Sequence, residues 1–390
     1  MTSRVLLALV IGQIGIHASM AGLRMAAPLQ ALREGAGAWA VGLLMALFAA
    51  APVLLAMQAG RMADRHGYHK PARVAVIACV IGGVMAVAST YLAGWLHMLL
   101  LALSAMCAGA GANIGMLAIQ RTAALAARDG TERVRIYSWL GVAPSLSNVV
   151  GPVSAGFMID LGGFRAAYAL MLLLPLLTVW ASRQVPPRPL ADRPEAGGTR
   201  RSAWSLLEAP GMKRLLLVNW LLSACWDVHS FAVPILGHEY GFSASTIGLI
   251  LGTFTLAVTA IRLVIPAIAQ HLREVTVMQA SMIGTGLVFA LYPFARTPLT
   301  MGALAVLLGV TLGITQPMIM SALHHLTPDK RHGEALAFRS LAINLSSAVL
   351  PLAFGVAGVA VGASVLFWVV GGVVGAGSWV ARGLSVPHTR

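Results

Sequence analysis

Apolar runs of about twenty residues, broken by short polar connections, recur along almost the whole chain. A helix needs about 20 mainly apolar residues to cross a hydrocarbon core roughly 30 Å thick. Twelve runs meet that need, near residues 5–27, 38–59, 73–93, 97–120, 136–159, 166–182, 215–236, 244–266, 276–294, 299–323, 335–357 and 361–381. The pattern predicts an all-α membrane protein with twelve transmembrane helices. One stretch breaks the rhythm: residues 183–212 are rich in Pro, Arg, Gly and Ala and read as a cytoplasmic linker. The chain therefore divides into a six-helix bundle at 1–182, the linker at 183–212 and a second six-helix bundle at 213–390.

The two halves match each other. A shift of 206 positions brings Pro28 onto Pro234 and Gly42 onto Gly248, and a shift of 199 brings Pro152 onto Pro351 and Gly156 onto Gly355. The order and the nearly constant offset carry the match, since single glycines and prolines coincide easily. Two parallel repeats are an architecture of secondary transporters, which place the substrate near the bilayer midplane between the halves.

Charge changes the picture next. Hydrophobic residues make up 58% of the chain and charged residues 10%, against about 25% charged in a soluble domain. The net charge of +14 invites a nucleic-acid partner, but its distribution excludes one. With loops numbered alternately, all but Arg24, Arg33, Arg165 and Arg296 of the 27 Lys and Arg fall on one side or at helix ends facing it. The positive-inside rule then puts both termini in the cytoplasm. Cys79, Cys107 and Cys225 lie in separate apolar runs, so no disulfide framework is expected. The first run is long and polar enough to read as an uncleaved span.

The connection from Gly60 to Lys70 reads GRMADRHGYHK. Gly60 and Gly67 permit unusual backbone and close approach. Asp64 suits a helix N-terminus or a cation, and Arg65 and Lys70 suit an anionic membrane face. The pattern resembles the loop between the second and third helices of the major facilitator superfamily of transporters, and it falls where that family places it; an ordinary basic loop is the plainer alternative. The fifth run contains Ser147-Asn-Val-Val-Gly151-Pro152-Val-Ser-Ala155-Gly156. It resembles the G-x-x-x-G-P-x-x-G-G signature of the family's antiporters, with Ser147 and Ala155 replacing two glycines. Small residues let helices approach and Pro152 permits a bend, so a simple packing face is the other reading. One departure stands out: Ala105 occupies the fourth-span position where proton-linked exporters of the family carry Arg. By the same resemblance Arg339 or Arg121 pairs with Asp64 when the cytoplasmic side is closed, with lipid headgroups as alternative partners.

Polar residues inside spans mark function, because lipid makes them costly. Gln13, His17 and Arg24 fall within about 40° of one another on the first span. The 206 shift carries them onto Asn219, Ser223 and Ser230 of the seventh. The resemblance implies that the first, fourth, seventh and tenth spans line the cavity, which adds Asn113, Thr315 and Gln316. Asp227 is the one carboxylate well within a span, and it suits either proton carriage or a pair with Arg24. His229 is titratable too, with helix packing as the favoured role.

The expectation is a major facilitator transporter in a bacterial inner membrane, exporting a small organic molecule in exchange for protons by alternating access. Asp227 leads as the coupling residue and Arg24 as a holder of an anionic group. Import of an organic anion or nutrient, by symport or facilitated diffusion, is the alternative. Transition-metal export and a non-transporting receptor or scaffold rank lower. Neither a cofactor nor a bound metal is expected, no nucleophile–base set suggests an enzyme, and the partners are substrate and lipid around a monomer.

Overall fold

The computed structural model of the chain describes residues 3–126, 130–186, 203–268, 273–327 and 331–384. Within those ranges a few helical side chains, Asp64 and Glu334 among them, lie outside the description. Among the described residues all regular structure is helical. The helices are α1 (Ser3–Arg33), α2 (Ala38–His66), α3 (His69–Ser89), α4 (Gly94–Ala126), α5 (Gly130–Leu173), α6 (Leu176–Ser182), α7 (Met212–Glu239), α8 (Ala244–Ile268), α9 (Glu274–Leu291), α10 (Pro298–Leu326) and α11 (His332–Arg382).

Eleven described segments are long and apolar enough to cross a membrane, and one of them, Trp139–Ser182, is 44 residues long. At 1.5 Å per residue that is about 66 Å, twice the hydrocarbon core. Gly163 interrupts it with φ 73° and ψ −178°, so the segment makes two crossings and the total is twelve. Gly362 divides α11 in the same way with φ 80°. A side chain at either position would be strained, and glycine is not. The first break falls in the gap that the apolar pattern left between 159 and 166, and the second falls one residue inside the run predicted to begin at 361.

One polar connection differs from its expected form. The stretch from Gly60 is helical as far as His66, and only Gly67 and Tyr68 separate α2 from α3. Arg, Met and Ala are good helix formers, and Gly67 at φ 65° closes the helix. Most of the 183–212 linker, residues 187–202, lies outside the described residues, as do 269–272 of the equivalent second-half connection.

The duplication is written into local geometry. At the end of α1, Gly35 takes φ 89°, while the N–H of Ala36 donates to the Ala31 carbonyl at 2.9 Å and that of Gly35 to Leu32 at 3.0 Å. This is a Schellman end. The end of α7 repeats it 206 residues later: Gly241 has φ 72°, Phe242 donates to Gly237 at 2.8 Å and Gly241 to His238 at 3.0 Å. A methyl group on Gly109 would collide with the carbonyl of Phe48, and one on Gly309 with that of Phe254. Phe48 and Phe254 are again 206 apart. The breaks at Gly163 and Gly362 are 199 apart, the offset of the later spans.

The residues group into two compact units, 1–192 with 233–252, and 193–232 with 253–390. In the first, α1 packs along α5, where a Cβ on Gly151 would lie 2.5 Å from the Ala18 carbonyl and 2.8 Å from the Gly22 nitrogen. The start of α8 packs on the same helix: methyl groups on Gly156 and Gly248 would strike the carbonyls of Ala244 and Pro152. Close backbone approach through small residues is how helices associate without a hydrophobic drive. The second unit has an aromatic core. Tyr292 stacks on Phe367 at 4.5 Å and 12°, and His229 lies 4.2 Å from Phe254.

Candidate transport site

Within the first unit, the α1 stripe places Gln13 in a fully buried position and His17 and Arg24 in half-buried ones, with Asn113 of α4 half-buried as well. The two helices meet between these residues, where a Cβ on Gly115 would lie 2.8 Å from Ile16 Cδ1. The Gln13 oxygen and His17 Nδ1 are buried with no hydrogen-bond partner among the described residues. Buried polar atoms are normally paired, so both remain available to a ligand.

In the second unit a polar column runs along α7 and α11. Arg339 Nε donates to Asn219 Oδ1 at 3.0 Å, and a terminal nitrogen of Arg339 donates to Gln316 Oε1. Eight residues further along both helices, Ser347 Oγ donates to the two oxygens of Asp227 at 3.2 and 3.0 Å. The equal step means that α7 and α11 run side by side in the same direction, with the two contacts about 12 Å apart. Asp227 is 3% exposed. His229 leaves this column: its Nδ1 meets the Tyr292 hydroxyl at 3.0 Å within the aromatic core. The structure thus joins Asn219, Gln316 and Arg339, and sets His229 apart from them.

The motif residues are placed as follows. Ser147 is buried and bonds back to the Ala143 carbonyl at 2.7 Å, while Gly151, Pro152 and Gly156 form the close-packed face of α5 described above. Gly60 is a helical position with nothing within 4 Å of a Cβ, and Arg65 is exposed. The Asp64 side chain is outside the description; Arg339, its expected partner, is turned to Asn219 and Gln316. Tyr68 is buried against Leu9 of α1, and burial pushes its hydroxyl up to about 12, so it stays neutral.

Several polar contacts escaped the sequence reading. Asp160 of α5 accepts the N–H groups of Ala244 and Ser245 at 3.1 and 2.8 Å and so caps α8 from another helix. A longer chain of contacts ties the end of α1 to α3, α4 and α5. Tyr168 donates to Gln30 Oε1 at 2.7 Å, Gln30 donates to Glu34 Oε1 at 2.7 Å, Glu34 Oε2 lies 3.1 Å from His97 Nε2, and His97 Nδ1 lies 2.9 Å from the Ser89 carbonyl. Arg262 escaped notice as well. It is the lone charge of α8, and a single arginine in an apolar run is a signal that sequence alone carries.

Twelve apolar crossings in two repeats, with buried polar columns inside them, define a multi-pass membrane protein built as a transporter. The chain belongs to the Major Facilitator Superfamily, whose profile matches residues 9–226 and 215–389. It is 27% identical to the enterobactin exporter EntS of Citrobacter koseri over 281 residues. The same identity holds for EntS of Salmonella typhi over 277. These alignments cover 70% and 69% of this chain and only 66% and 65% of those relatives. Among solved structures, a D-xylose-proton symporter superposes with a TM-score of 0.79 at 14% identity, covering 98% of each chain. A POT family transporter in complex with a thioalcohol-conjugated peptide reaches 0.76 at 13%, over 97% of this chain and 95% of its own. At such identities the likeness shows the fold alone.

Proposed function

We propose that this transporter exports a small organic molecule across a bacterial cytoplasmic membrane in exchange for protons. Asp227 carries the reading: a carboxylate 3% exposed on a membrane-spanning helix, accepting from the Ser347 hydroxyl, is placed where a charge is costly and a proton relieves the cost. Proton binding and release there would alternate with substrate binding as access alternates between the two sides. Gln13, His17 and Asn113 on α1 and α4, and Asn219 and Gln316 on α7 and α10, supply polar contacts to substrate, and Arg24 holds an anionic group. The likeness to enterobactin exporters supports the outward direction. Both termini lie in the cytoplasm, and the protein works as a monomer without a cofactor, on the proton gradient.

Asp227→Asn tests this in proteoliposomes with an imposed pH gradient. Loss of pH-driven transport with retained counterflow is expected; undiminished coupling would remove Asp227 from the mechanism. One observation favours import by symport instead. Ala105, fully buried, stands where the family's exporters carry Arg. Counterflow against gradients of either sign separates the two readings.

A further inference from the structure

The second unit holds a group of donors that exceeds its acceptors. Arg262 projects from α8 beside α10: a methyl on Gly313 would collide with Ile261, and it would lie 3.0 Å from Val258 Cα. Gln316 is one turn beyond Gly313 on that helix. The Arg262 Nε is buried without a partner, and its guanidinium lies within the field of the Arg339 guanidinium. Arg339 in turn takes up the side-chain oxygens of both Asn219 and Gln316. A guanidinium can only donate, so those amides face it with their oxygens and turn their NH2 groups elsewhere. The Asn219 Nδ2, on a side chain 0% exposed, has no acceptor.

Every polar atom left over is therefore a donor, and the group carries two positive charges. Among the described carboxylates of this unit, Glu274 accepts from Ser321 at 3.0 Å, Asp227 sits about 12 Å along α7 with Ser347, and Glu208 is exposed. None of the three meets the arginines. Two like charges inside a membrane protein with no counter-charge among the described side chains are costly, and guanidinium forks match the paired oxygens of an oxyanion.

We propose that Arg262 and Arg339, with the amides of Asn219 and Gln316, form a subsite for an oxyanion, such as a carboxylate, borne by the transported molecule. The subsite rests on the transporter reading and narrows its substrate class to organic anions, whichever direction they move. Lipid phosphate offers the same chemistry, so the test separates the two sources.

The full-length protein in phosphatidylcholine nanodiscs is titrated with benzoate, inorganic phosphate and sulfate, and with neutral benzamide, while thermal unfolding is followed. At least one anion is expected to raise the melting temperature saturably, and benzamide is not. Arg262→Gln weakens that response about tenfold to a hundredfold, the worth of one charge-assisted hydrogen bond, and Arg262→Lys weakens it less. Asn219→Asp supplies an internal carboxylate: it raises the melting temperature of the unliganded protein and abolishes the anion response. This second variant keeps the test decisive if Arg262→Gln folds poorly. The proposal is overturned by a lack of response to all three anions, by an equal response to benzamide, by unchanged affinity in Arg262→Gln, or by Asn219→Asp lowering stability. It also fails as a substrate subsite if phosphatidylglycerol in the nanodisc displaces the anions, since a headgroup is then the occupant. Loss of proton coupling is read by pH-driven transport in Asp227→Asn and loss of the subsite by the anion response of Arg262→Gln, so the failure of one reading is distinguishable from the failure of the other.

Discussion

Two polar clusters of similar composition are built in opposite ways. At the end of α1, Tyr168 and Gln30 each donate to an acceptor, His97 Nδ1 meets the Ser89 carbonyl, and His97 Nε2 lies 3.1 Å from a carboxylate oxygen of Glu34. In the α7–α11 column, Arg339 and Arg262 bring more donors than the neighbouring side chains can accept. A closed network fixes helices, because breaking one member strands the others. An open one carries an electrostatic cost in the empty protein that a ligand can remove. Polarity inside the bundle is thus no guide to function until partners are counted.

The sharpest way to break the contrast is His97→Ala. It removes both contacts of a buried ring, leaves Glu34 without its partner and opens a void. We expect a loss of about 3 kcal/mol of stability, read by thermal unfolding, with the anion response of the other cluster unchanged. A loss under about 0.5 kcal/mol would mean that the network is ornamental.

Arg262→Gln runs the other way. In the unliganded protein it removes a charge that has no counter-charge among the described side chains, and is expected to raise stability by about 1 kcal/mol. The same kind of substitution thus changes sign between the clusters. Destabilisation comparable to that of His97→Ala would show that Arg262 is already neutralised.

Much of the architecture was legible before any coordinates. Twelve spans and the duplication follow from apolar run length and the order of glycines and prolines, which are local properties, whereas sequence alone does not single out Gly163 and Gly362 as the break points. The candidate site was legible only as residues on stripes. Asn219 follows from the 206-residue repeat and Gln316 from the resemblance that puts the tenth span at the cavity, but their common partner Arg339 approaches from a third helix. Asp160 capping α8 from α5 likewise joins residues 84 and 85 positions apart. Such tertiary contacts leave no trace in spacing. Arg262 is different, since a lone charge in an apolar run was visible and was absorbed into the count of cytoplasmic positives.

The smallest effect is the most specific. The Ser89 carbonyl can only accept, so His97 Nδ1 must carry a hydrogen. Nε2 then faces a carboxylate oxygen at 3.1 Å, and that contact is attractive only if one proton lies between them, on the ring or on the acid. Other charged or titratable groups surround the pair. Tyr168 of α5 reaches it through Gln30, Arg33 of α1 lies 5.6 Å over the Phe164 ring, and Arg165 of α5 donates to Thr90 at 3.3 Å. Asp160 of α5 lies in the field of Arg33. None of these meets His97 Nε2. Glu34→Gln keeps the shape and supplies its own N–H to the ring. Its stability should therefore lie within about 0.5 kcal/mol of the parent's, whereas Glu34→Ala, which supplies no partner, should lose about 1 kcal/mol. Equal losses in the two variants, measured by thermal unfolding, would show that the side chain at position 34 does not hold α1 to α4 through the ring.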